Sequence, residues 1–94
     1  MKVLDKQESI ELCTESGWNA YDLTVDEHID KDTIKRLGSL GFLTYLGMLS
    51  QPFYRIEREH YMIKGLEGSR SIRVAMLNGE EEILERVTEL LDEL

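Results

Sequence analysis

The hydrophobic positions of this chain change period along its length, and each period predicts a different element. Asp5 and Glu8 have the spacing of a capping box, with Leu4 ahead of them as a staple. Ile10, Leu12 and Cys13 supply the apolar positions of a helix over 6–16, and Gly17 suits the left-handed residue after its last turn. From Trp18 to Asp26 the period shortens to two: Tyr21, Leu23 and Val25 face one way, Asp22, Thr24 and Asp26 the other. This is the alternation of a half-buried strand. Asp30 or Asp32 then caps a short helix carrying Ile34, Leu37 and Leu40, which stops at Gly41. Gly38 inside it marks close packing or an earlier end.

Between 42 and 77 the chain is rich in β-formers. Phe42–Leu49 is one apolar run, broken by Ser50-Gln51-Pro52. Phe53–Glu57 and Tyr61–Lys64 read as two strands or as one long bent strand, with Glu57-Arg58-Glu59-His60 as a tip or exposed edge. Gly65 to Arg70 is a turn, and Ile72, Val74 and Met76 alternate with Arg73, Ala75 and Leu77 in a further strand. The last segment returns to the helical period. Asn78 can cap it, Glu80, Glu81 and Glu82 fill its positive end, and Ile83, Leu84, Val87, Leu90, Leu91 and Leu94 form one stripe over 78–94. The order α-β-α-β-β-β(-β)-α predicts a single α+β domain over 1–94. Its antiparallel β-meander sheet has four to five strands, with helices packed on one face as a two-layer sandwich.

Composition narrows the class. With 94 residues, 41% hydrophobic and 32% charged, the chain has enough apolar surface for one modest core and is not disordered throughout. The charge falls in blocks: residues 1–30 sum to −6, 31–77 to +4 and 78–94 to −6, for a net −8. That balance disfavours nucleic acid and anionic membranes as partners, because like charges repel at long range. The longest mostly apolar stretch, Gly41 to Leu49, is too short to span a bilayer, and the N-terminus lacks a signal-peptide core. One cysteine precludes an intrachain disulfide and suits a reducing interior, so the expected location is cytoplasmic.

Candidate chemistry is sparse. Cys13 with His28 or His60 has the residue types of a thiolate–imidazole pair, but no motif surrounds it, and free cysteine is commonly a small buried apolar residue. Asp26, Glu27, His28, Asp30 and Asp32 offer carboxylates and an imidazole without a close ligand pair, so no metal and no cofactor are expected. The loop Gly65–Arg70 leads into a strand, which removes the helix N-terminus that a phosphate loop needs. Met48, Met62 and Met76 fit irregular core gaps better than a ligand pocket.

The remaining signal is a basic and aromatic cluster: Arg55, Arg58, Lys64 and Arg73 interleave with Phe53, Tyr54, Tyr61 and His60, and the four bases with Tyr54 and Tyr61 form the candidate patch. Such residues on an open sheet face form a patch for acidic groups, unless Glu57, Glu59 and Glu67 neutralise it within the monomer. The sequence therefore points to a small non-catalytic protein-interaction or regulatory module, with a protein partner or a second copy as its expected ligand. Three alternatives remain. One is a binding domain for a small anionic or apolar ligand held between sheet and helices. The others are a thiol-dependent enzyme using Cys13 and an acidic mimic of nucleic acid.

Overall fold

A computed structural model describes residues 1–9, 17–48 and 50–94. Six strands form one antiparallel sheet: β1 (Val3–Glu8), β2 (Trp18–Val25), β3 (Phe42–Leu46), β4 (Phe53–Glu57), β5 (Tyr61–Leu66) and β6 (Ser71–Leu77). Two helices accompany them, α1 (Lys31–Leu37), which tightens into a 3-10 turn at Gly38–Leu40, and α2 (Glu82–Asp92). The spatial order β1-β2-β6-β5-β4-β3 joins two antiparallel runs, β1-β2 and β3 to β6, through the β2–β6 pair. The class is the expected α+β, but the sheet has six strands and the order begins β-β-α.

The extra strand is where a helix was expected. Residues 6–8 lie in β1, which pairs with β2 through Lys6↔Leu23 and Glu8↔Tyr21. A capping-box spacing contributes little when the alternative is a complete ladder of backbone hydrogen bonds along an existing strand. The rest of the expected helix, with Cys13, lies outside the described residues. Phe53–Leu66 is a hairpin, not one bent strand: Phe53 pairs with Leu66 and Glu57 with Met62, and the Arg58 N–H closes the turn on the Tyr61 carbonyl.

Register assembles the core. Leu23 sits opposite Ile72, Tyr21 opposite Val74, Val74 opposite Ile63 and Ile63 opposite Ile56, so successive strands point their apolar positions to one side. Both helices cover that side. Ile34 and Leu37 of α1, and Ile83, Leu84, Val87 and Leu91 of α2, join the strand residues in one buried cluster. The α2 stripe is shorter than its period implied: Leu90 is only partly buried and Leu94 is exposed. Asn78 does not cap it; its side-chain oxygen accepts from the Asn19 amide instead. Asp30 does cap α1, where its Oδ1 accepts from Thr33 N at 2.9 Å and Thr33 Oγ1 at 2.8 Å. These bonds favour the charged form and hold the Asp30 carboxyl below its usual value.

Two glycines are set by crowding. A Cβ on Gly41 would lie 2.7 Å from the Glu57 carbonyl oxygen, so the chain leaving the 3-10 turn passes directly against β4. A Cβ on Gly65 would lie 2.6 Å from Tyr54 Oη. Tyr54 is fully buried, and its hydroxyl finds no hydrogen-bond partner among the described residues. The glycine thus makes room for a large ring whose polar end is left unsatisfied. Burial also pushes the Tyr54 phenol well above its ordinary range.

Two outcomes follow for stability. Tyr54→Phe removes an unpaired buried hydroxyl and should raise stability by about 1 kcal/mol. Gly65→Ala should cost roughly 1–3 kcal/mol in the native chain and less in the Tyr54→Phe background. A double-mutant cycle by urea unfolding checks the coupling; additive effects would contradict the contact. For Asp30, a lowered folded-state value means its contribution is present above the unfolded pKa and lost as pH falls through the folded one. Asp30→Ala should therefore lower the melting temperature at neutral pH, and the difference should vanish in strong acid.

Candidate interaction face

The side of the sheet away from the helices carries a continuous polar row. Strand pairing places Gln7 beside Asp22, Asp22 beside Arg73, Arg73 beside Lys64, Lys64 beside Arg55 and Arg55 beside Thr44. One residue from each of the six strands contributes. Adjacent strands lie about 4.8 Å apart, so the three bases occupy roughly 10 Å of the row. The alternation that buries Tyr54, Ile56, Ile63 and Val74 on one side turns Arg55, Lys64 and Arg73 to the other.

The row is partly neutralised from within. Arg73 Nε donates to Asp22 Oδ1 at 2.9 Å and Nη2 to Oδ2 at 3.4 Å, a two-point contact. Arg55 Nε pairs with Glu57 Oε1 at 2.5 Å on the same strand and face. Lys64, between them, makes no ion pair with a described residue. Its two cross-strand neighbours are both arginines, an arrangement that costs stability because like charges sit directly opposite.

Lys64 and Arg73 open onto a shallow cleft of about 360 Å³, also lined by Asp22, Phe53, Leu66, Ser69 and Ser71. With Arg73 engaged by the Asp22 carboxylate, the cleft presents the Lys64 ammonium, two hydroxyls and two apolar side chains, a combination that receives a carboxylate or other anion attached to an apolar body. Elsewhere on this face Ala20 and Ala75 are buried, and Met62, Trp18 and Leu77 are their half-buried register neighbours. That end is apolar.

Three of the six expected patch residues meet here: Arg55, Lys64 and Arg73. The others do not. Tyr54 and Tyr61 point into the core, and the Tyr61 hydroxyl donates to the Leu40 carbonyl. Arg58 sits in the β4–β5 turn, where its Nε donates to that same carbonyl at 3.3 Å. Asp22, Leu66, Ser69 and Ser71 complete the cleft together with Phe53, the aromatic of the cluster that shares parity with Arg55. Of the carboxylates expected to neutralise the patch, Glu57 does so, Glu67 instead accepts from the Tyr45 hydroxyl at 2.7 Å, and Glu59 lies beside His60. The Glu67 contact holds the Tyr45 phenol above its ordinary value.

The other candidate groups stay apart. His28 Nδ1 lies 2.7 Å from the Gly68 carbonyl oxygen, and His60 is exposed in a turn. Met76 is buried, Met48 fully exposed and Met62 half-buried on the row's face, so the methionines line no common pocket. Among the described residues no cluster of three or more His, Cys, Asp or Glu side chains is placed to hold a metal ion. No described helix is long and apolar enough to cross a membrane.

Replacing the central cation tests this electrostatic arrangement. Lys64→Glu converts two repulsive cross-strand neighbours into attractive ones and should stabilise the fold by about 0.5 kcal/mol at low salt. The gain should shrink as salt is added, and a loss of stability would contradict the row as described.

Comparison with protein-family models, with curated proteins and with solved structures finds no match for this chain.

Proposed function

We propose that the protein is a non-catalytic interaction module that docks acidic groups of a partner on the polar row of its open sheet face. The observation that carries this reading is Lys64, flanked by Arg73 and Arg55 and set at the rim of the cleft lined by Phe53 and Leu66. Three adjacent bases are unfavourable for folding, so their presence at one place is better explained by a ligand that neutralises them than by stability. The apolar rim supplies contact area, and the bases supply orientation and rate of encounter. The acidic remainder of the chain repels nucleic acid, which leaves a carboxylate-bearing protein segment as the favoured ligand. The cleft also favours a second reading, a small anion with an apolar body, because its volume and two hydroxyls suit a compact molecule.

The test is capture from source lysate at low salt with the native chain and with Lys64→Glu. The variant keeps the fold and inverts the charge at the centre of the row. Binding of the captured partner, remeasured with purified components, should weaken about tenfold and become insensitive to salt. A captured small molecule, identified by mass spectrometry, would favour the second reading. Partners captured equally by both chains would refute the row as the docking site.

A further inference from the structure

The two edges of the sheet are built in opposite ways. Edge strand β1 reads VLDKQE: Asp5, Lys6 and Glu8 place charge along it, and its register breaks between Val3 and Asp5. These are the devices by which proteins prevent a sheet from extending. Edge strand β3 reads FLTYL and carries no charge, no proline and no irregularity in its pairing with β4. No described strand pairs with its outer side. Phe42 is 74% exposed, Leu46 46%, and Met48 in the following turn 98%. Leu4 of β1 is exposed too, at 59%, but Phe42 on the unprotected strand is the most exposed large apolar side chain of any described strand.

A hollow adjoins this edge on the helix side. It is about 160 Å³, lined by Ile34 of α1 and by Leu43 and Tyr45 of β3, with Lys31 and Lys35 at its rim. Its volume is of the order that accommodates a single benzene-sized group. Lys31 and Lys35 are one helical turn apart and exposed, and neither forms an ion pair with a described residue.

We infer that β3 accepts an extended, acidic–apolar segment of a partner protein as an added strand. Main-chain hydrogen bonds along Phe42–Leu46 would supply the ladder. Because side chains alternate, one set would lie beside Leu43 and Tyr45, with an apolar group in the hollow and carboxylates reaching Lys31 and Lys35. The other set would cover Phe42 and Leu46. Charge decides between this occupant and a second copy of the chain. Two copies paired symmetrically about Thr44 would bring both pairs of Lys31 and Lys35 to the same side of one joint, where they repel. An acidic segment neutralises them. This surface is separate from the polar row, so either can fail without the other.

The test titrates the ¹⁵N-labelled full chain with a capped synthetic peptide of valine, leucine and glutamate in alternation. Amide shifts and slowed hydrogen exchange should concentrate in Phe42–Leu46 and at Lys31 and Lys35. Lys31→Glu/Lys35→Glu should weaken binding about tenfold, Lys35→Gln less, and a peptide with lysine in place of glutamate should not bind. Lys64→Glu should bind this peptide as the native chain does. The same spectra report whether each variant is folded. Three results would overturn the inference: β3 amides unchanged up to about 1 mM peptide, affinity indifferent to the lysine reversal, or β3 amides that respond to protein concentration alone. The last would identify a second copy as the occupant.

Discussion

Everything in this structure depends on one condition: the apolar positions of the five strands β2 to β6 must emerge on the same face at once. The chain Leu23–Ile72 and Tyr21–Val74–Ile63–Ile56–Leu43 across those strands satisfies it, and only then is there a surface for α1 and α2 to bury. Neither helix is long enough to hold its shape alone, at seven and eleven residues. Their stability comes from the sheet, and the sheet's inner face is dry only because they cover it. A slip of one residue in any central pair would send isoleucine and valine to the solvent side and arginine and lysine inward, so register is strongly specified.

The same alternation accounts for the polar row. Once Tyr54, Ile56, Ile63, Ile72 and Val74 are committed to the core, Arg55, Lys64 and Arg73 have no choice of face, and the pairing aligns them. What the fold does not require is that these three positions all be basic. Asp22 and Glu57 moderate the cost at the two ends, and Lys64 bears it in the middle.

Much of this was legible because period-two and period-3.6 patterns are local. β2, β6, α2 and the Asp30 cap follow directly from such patterns. Residues 6–8 were not legible, since their strand exists only because β2 offers a partner distant in the chain; a capping-box spacing is local and misleads there. Proximity in sequence groups Tyr54 and Tyr61 with the bases, although Tyr54 shares parity with Ile56, and Tyr61 with Ile63. Parity along each strand separates the ring from the charge, whereas composition averages them. The lone positions Arg58 and Glu67 depended on where each turn closes. That is fixed by three-dimensional contacts such as the Arg58 N–H to the Tyr61 carbonyl, which no periodicity encodes.

The charge blocks in the sequence become a direction in the fold. α2, with Glu82, Glu85, Glu89 and Asp92 exposed, packs toward β1, whose own edge carries Asp5 and Glu8. α1, with Lys31, Lys35 and Arg36 exposed, packs beside β3 at the opposite edge. The molecule is therefore acidic at its protected edge, while the unprotected one carries the exposed bases of α1 against two carboxylates, Asp32 on α1 and Glu67 on the Tyr45 hydroxyl. A net charge of −8 repels an acidic partner at long range, but within roughly one Debye length the local distribution governs approach. An acidic segment is turned away from β1 and drawn toward α1 and β3. The row Arg55–Lys64–Arg73 begins one strand in from that same edge. The electrostatics of the fold and the absence of edge protection thus favour the same approach, and two independent features of the chain select one side of the sheet for contact.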